Sequence, residues 1–274
     1  VGAFVSEPVG NLLRAWEFEP SVVGGCAVLL VLYAVAHRDD PGRAGWFVAG
    51  VAAIFLALVS PLDVLSDTYL FSAHMAQHLM LVLVAPPLLI AGLSPRMIRR
   101  AMKTAAVGRI ERVLGNAIVA WTIGMATLWV WHAPSLYNAA LDDEDLHIVE
   151  HLCFLISATI YWWPIVSPAE ELRMSAMPAV MYLATGAVAN SVLAILLTFA
   201  RPGLYPAYLD PPDPLGILPM VRAQWGLTPA ADQQLGGLLM WIPGGMVFMG
   251  AVVWVIARWY AAGDREIHGI APAG

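Results

Sequence analysis

This sequence has very little charge. Only 12% of its 274 residues are Asp, Glu, Lys or Arg, where a soluble chain carries about a quarter. The apolar share is 59% and the mean hydropathy is +0.71. That leaves too little polar surface to cover a soluble globule of this length, which excludes the soluble class. Cysteine is almost missing as well. Cys26 and Cys153 each sit in an apolar run and form no CxxC, so a disulfide framework is excluded. No cleavable signal is visible, and Val1 is read as following a lost or trimmed initiator. The net charge of −6 carries little information, because charges at a membrane act locally.

What the chain has instead is apolar runs, each near the roughly 20 residues that a helix needs to cross a bilayer. They recur over 20–37, 44–60, 69–93, 114–132, 146–163, 177–200 and 234–260. The pattern predicts an all-α, polytopic membrane protein of about seven transmembrane helices, one integral-membrane domain over 1–274. Segment 94–113 holds Arg96, Arg99, Arg100, Lys103, Arg109 and Arg112 against one acid, Glu111, which places it in the cytoplasm. The connection HAPSLYNAALDDEDLH has no Lys or Arg and carries Asp142, Asp143, Glu144 and Asp145, so it belongs outside. Counting spans from these two puts the N-terminus outside and the C-terminus in the cytoplasm. Arg38, Arg43, Arg258 and Arg265 then all fall inside.

The chain also repeats itself. PSLYNAALD (134–142) and PGLYPAYLD (202–210) share Pro, Leu, Tyr, Ala, Leu and Asp in register, and HMAQHL (74–79) echoes HIVEHL (147–152). Pro61 precedes His74 by the spacing that separates Pro134 from His147. Three outward-pointing helical hairpins are expected, each leaving the membrane near a proline and returning on a helix with polar first turns. Proline at a span end also simply stops a helix, so the nine-residue match weighs more. The third hairpin has a long loop, about 201–233, rich in Pro and Gly. A loop of that length is either a functional element or disordered.

Five of the seven histidines gather at the expected outer face: His74, His78, His132, His147 and His151. Asp232 opens the last span on the same side. His37 and His268 fall at the other end and are expected to be irrelevant. Ionisable groups inside spans are costly and default to a functional reading. A lone histidine there is more often a hydrogen-bonded core residue. Two helices that each carry His at i and i+4 present two rings on one face. Neutral imidazole is the commonest metal ligand, and a ligating ring usually gives its other N–H to a carboxylate or carbonyl. The expected metal site therefore draws on His74, His78, His132, His147, His151 and Asp232, with Gln77 and Glu150 as supporting partners. A purely structural His/Glu cluster and a proton pathway are the alternatives.

Imidazole suits zinc, copper, iron and nickel, and thioethers favour Cu(I). Met75, Met80, Met240, Met246 and Met249 lie nearby in sequence, although Met is also ordinary apolar filler. Cys153, two residues past His151, points away from its face. HIVEH is also the inverted zinc-peptidase spelling, which needs a further acidic ligand downstream. Glu170 and Glu171 fall on the opposite side, leaving Asp210, Asp213 and Asp232. That reading leaves HMAQH unexplained, since Gln77 cannot act as a general base. Separate haems on two histidines one turn apart would collide, and a single haem between the two helices would use only one histidine from each.

AHMAQHLMLVLVAPPLLIAG, WHAPSLYNAAL, HIVEHLCFLISATIYWWP and DQQLGGLLMWIPGG together resemble the membrane-embedded CtaG family of cytochrome c oxidase assembly factors, over about 60–250. The resemblance implies a multi-pass protein of the bacterial inner membrane that catalyses no reaction itself. It implies copper as cargo, Cu(I) in the reading taken here, delivered to the catalytic subunit of the oxidase. An extracytoplasmic copper donor and the lipid membrane are the other expected partners; nucleic acid is not one. It also implies a recipient haem–copper centre in the outer part of the membrane, the depth at which the charge rule set the histidines. Few ligands, shallow placement and a mobile loop suit transfer better than storage. The rival functions are a zinc hydrolase-like metalloenzyme and a metal or proton transporter built on the same His/Asp cluster.

Overall fold

The computed structural model describes residues 7–36 and 41–268, and the regular elements among them are all helical. They run α1 (Glu7–Arg14), α2 (Pro20–Ala36), α3 (Ala44–Val59) and α4 (Pro61–Tyr69). The long α5 (Phe71–Gly92) is followed by α6 (Pro95–Met102) and α7 (Ala105–Leu114). Then come α8 (Ala117–Trp131), α9 (Pro134–Asp142), α10 (Glu144–Val166), α11 (Ala176–Phe199) and α12 (Pro229–His268). Four of these, α5, α10, α11 and α12, are long and apolar enough to cross a bilayer. The bent pairs α3–α4 and α7–α8 bring the number to six if each pair is one crossing; α2, at 17 residues, is a shorter apolar helix. His37 and Arg38 lie outside the described residues, as do the side chains of Arg265 and His268.

The bends have local causes. At Ser60–Pro61 the chain turns by 43°. Ser60 is extended and its hydroxyl accepts from the Leu62 N–H, while Pro61 begins the next helix at the position that needs no N–H. At Gly115–Asn116 the turn is 69°, and the Asn116 side chain caps the N–H groups of Ile118 and Val119. Inside α5, residues Met80–Val84 form a π turn. Pro86, one residue past that turn's cap, has no N–H to give the Val82 carbonyl. The Trp162 indole of α10 supplies the missing donor at 2.9 Å.

Within a bilayer, helices associate through close packing and interhelical hydrogen bonds rather than hydrophobic burial. Both are present. A Cβ on Gly237 of α12 would lie 2.6 Å from the backbone nitrogen of Thr198 on α11, so only glycine permits this approach. The Tyr182 hydroxyl donates to the Tyr161 carbonyl at 2.8 Å, and the Asn190 amide to the Met240 carbonyl at 2.9 Å. Each such bond is worth about 0.6 kcal/mol.

The loop between α11 and α12 is folded. The Tyr69 hydroxyl donates to Asp213, which also accepts from the N–H groups of Ile217 and Leu218. Arg222 donates to the carbonyls of Tyr208 and Leu227. This network draws the loop's buried tyrosines, Tyr205 and Tyr208, down onto the bundle. The sequence repeat meets itself here: the rings of the matched residues Tyr137 and Tyr205 pack against each other at a tilt of 38°, with centroids 4.0 Å apart. PSLYNAALD makes α9, whereas PGLYPAYLD makes only a turn and a short 3-10 segment. Gly203, at φ +93°, and Pro206 account for the difference.

Candidate metal centre

The starts of α5 and α10, the end of α8, the start of α12 and the folded loop all meet at one end of the bundle. Leu70 is extended, so α5 begins abruptly at Phe71 with its first N–H groups unpaired. Asp232, from the first turn of α12, fills that role. Its carboxylate accepts from the Phe71 N–H at 2.8 Å, the Ser72 N–H at 3.0 Å and the Ser72 hydroxyl. The structure thus directs Asp232 to the start of α5, and it is not one of the side chains brought together with the histidines.

From that anchored start α5 carries His74 and His78, and α10 carries His147 and His151. The two pairs face one another. Ring centroids of His74 lie 5.3 Å from His147 and 6.2 Å from His151, and those of His78 and His151 are 5.7 Å apart. Ligand atoms of His74, His78 and His151 lie within 4.8 Å of one another. Around one ion with bonds of about 2 Å, imidazole nitrogens stand roughly 3–4 Å apart. The group therefore fits a single ion after a contraction of about 1 Å. The four rings sit near the helix starts, and His74 and His78 are buried.

Hydrogen bonding prepares the rings. The Tyr208 hydroxyl, on the folded loop, donates its one proton to the Ser66 carbonyl. Burial holds this hydroxyl well above the usual tyrosine range, so it keeps that proton. The His74 Nδ1, 2.9 Å from the same oxygen, must therefore be the donor in that contact. That leaves the lone pair of His74 on Nε2, which meets His78 Nε2 at 2.8 Å. His132 is held likewise: its Nδ1 lies 2.7 Å from the Leu128 carbonyl, which can only accept, and its buried Nε2 has no partner. The Nε2 atoms of His147 and His151 are also buried and unpartnered.

The carboxylates divide by depth. Glu150 is 1% exposed, with Oε1 3.7 Å from His78 Nε2 and no hydrogen bond to either oxygen. It lies beside the same His78 nitrogen that faces His74, whereas His78 Nδ1 has no partner. Gln77 turns the other way, donating to the Ala57 carbonyl and to Asp63, and so braces the α3–α4 bend. Below the rings is a cavity of about 30 Å³, lined by His78, His132, Met75, Met240, Phe154 and Phe248 among others. Met75 and Met240 are core residues; Met80 is half-buried, and Met246 and Met249 are exposed on the outside of α12. Cys153 packs against the apolar core.

Two participants were not found from the sequence. Asp67 lies 3.7 Å from His147 and joins His74 and His147 in a second group whose ligand atoms fall within 4.8 Å. Tyr208 fixes the His74 ring. The signal for Asp67 was its place on the approach to HMAQH, seven residues before His74. For Tyr208 it was its place inside the repeat.

These features define an integral membrane helical protein with a polyhistidine cluster buried at one end of its bundle. Residues 27–262 match the cytochrome c oxidase caa3 assembly factor family, and the chain belongs to that family. Among curated proteins it is similar to an uncharacterized protein of Mycobacterium bovis, 21% identical over 283 residues covering 94% of this chain and 41% of the relative. A second uncharacterized protein, from Mycobacterium leprae, is 23% identical over 287 residues covering 95% of this chain and 42% of the relative. The chain thus spans about two-fifths of the length of these relatives. No solved structure matches.

Proposed function

We propose that this protein supports assembly of a haem–copper cytochrome c oxidase by holding copper, as Cu(I), at His74, His78 and His151 and passing it to the catalytic subunit. It receives the ion from an extracytoplasmic donor and catalyses no reaction. The observation that carries this is the face-to-face pair of histidine turns, with unpartnered ring nitrogens, in a member of an oxidase-assembly family. In this reading the chain sits in a bacterial cell membrane with seven crossings, α2 included. Its N-terminus and the histidine end face outward, and the basic segment 94–113 faces the cytoplasm.

The hydrolase alternative needs Glu150 free to work on a water held by His147 and His151. Glu150 instead lies nearest His78 and is almost fully enclosed. The transporter alternative calls for ionisable groups spread through the membrane, whereas these gather at one end.

The test is the metal content of protein purified without chelator, together with oxidase assembled beside His78→Ala or His151→Ala. Copper, not zinc, should co-purify with the wild type. The variants should insert normally and yield oxidase that contains haem but lacks copper in its catalytic subunit. Fully copper-loaded, active oxidase in both variants would reject copper delivery.

A further inference from the structure

The cluster holds two groups of ligand atoms at two depths. The inner group is His74, His78 and His151; the outer is Asp67, His74 and His147. At the outer position the side chains of Asp67 and His147 are 38% and 12% exposed. At the inner position the His78 side chain is 4% exposed and His151 is half-buried. His74 belongs to both.

We propose that Asp67, His147 and His74 form an entry port, from which the ion passes inward to His78 and His151 while His74 stays bound. This rests on the copper reading above. A bare ion entering a low-dielectric interior loses several kcal/mol of hydration, so transfer needs ligands at every stage and a counter-charge at each stop. The cluster supplies both. His74 and His78 have ring centroids 4.2 Å apart, and His147 and His151 have theirs 4.3 Å apart. Because the two positions share His74 and metal–imidazole bonds are about 2 Å, one step inward is at most about 4 Å. During that step the lone pairs of Asp67 and His147 leave the ion as those of His78 and His151 arrive, and no electron is transferred. If His78 binds through Nε2, the proton on that atom moves to Nδ1, which is free of any partner. Asp67 stands beside the outer position, and Glu150, with both oxygens unpartnered, stands beside the inner one. The unpartnered Nε2 of His132 lies beyond, on the floor of the cluster.

A port changes rates; a terminal site sets affinity. The purified protein in nanodiscs is mixed rapidly with Cu(I), or with Ag(I) as a redox-inert stand-in, held on a chromophoric chelator. Asp67→Asn and His147→Ala should each slow both loading and release by at least about tenfold, so that affinity moves less than either rate. His78→Ala and His151→Ala should instead lower the equilibrium affinity. If the Asp67→Asn/His147→Ala double variant loads as fast as the wild type, the port is wrong while copper binding stands. If the wild type takes up neither ion, the copper reading itself fails and the port with it.

Discussion

His74 is the residue at which the cluster is set. One ring nitrogen is committed to Tyr208 and the other faces His78, so its electron pair points where an ion would sit. Tyr208→Phe removes the acceptor of the His74 Nδ1–H. The ring is then free to turn or to change tautomer, and copper affinity should fall by roughly 10–100-fold, read by chelator competition. An unchanged affinity would show that Tyr208 serves packing alone. At this scale the histidines were legible, because the i, i+4 spacing forces two rings onto one face wherever the helix sits. Asp67 and Tyr208 were not legible as neighbours of His74. Their approach depends on the α3–α4 bend and on the folding of the loop, and neither has a period to read.

At the scale of elements, the start of α5 is held by another helix. Asp232 caps it from α12, across 160 residues of sequence, so the first turns of the two helices move together. Asp232→Ala should cost about 1–2 kcal/mol of stability, visible as a lower thermal midpoint in detergent, while the metal stoichiometry is retained. A variant that is fully stable but has lost one equivalent of metal would return Asp232 to the ligand role that its position suggested. The apolar runs were legible as helices because period and length suffice for that. The breaks within them were harder to read. The apolar runs 44–60 and 114–132 stop and start close to Ser60 and Asn116, but the bend angles depend on local hydrogen bonds at those residues, which have no period to read. The Val82 carbonyl, left free by Pro86, found its donor in Trp162, a pairing that exists only once α10 lies against α5.

At the scale of the molecule, the two ends of the bundle carry opposite chemistry. The histidines, Asp67 and Glu150 lie at one. At the other are the basic helices α6 and α7, where Arg99 pairs with Glu171 at 2.8 Å. The positive-inside rule then predicts that an impermeant thiol reagent on intact cells labels a cysteine placed at Asp143 and spares one placed at Lys103. Labelling at Lys103 would invert the topology and turn the histidine end toward the cytoplasm. The cavity beneath the rings bears on traffic in a different way. At about 30 Å³ it has room for about one water, with His78, His132, Met75 and Met240 in its wall beside Phe154 and Phe248. Leu83, Tyr161, Trp162 and Phe248 beyond it belong to a packed apolar cluster, so in the copper reading the site is a well closed beneath His132, and an ion that enters by its mouth leaves by the same mouth. A donor protein and the oxidase would then compete for one doorway. Loading and unloading would alternate in turn, and an excess of empty donor would slow delivery rather than speed it.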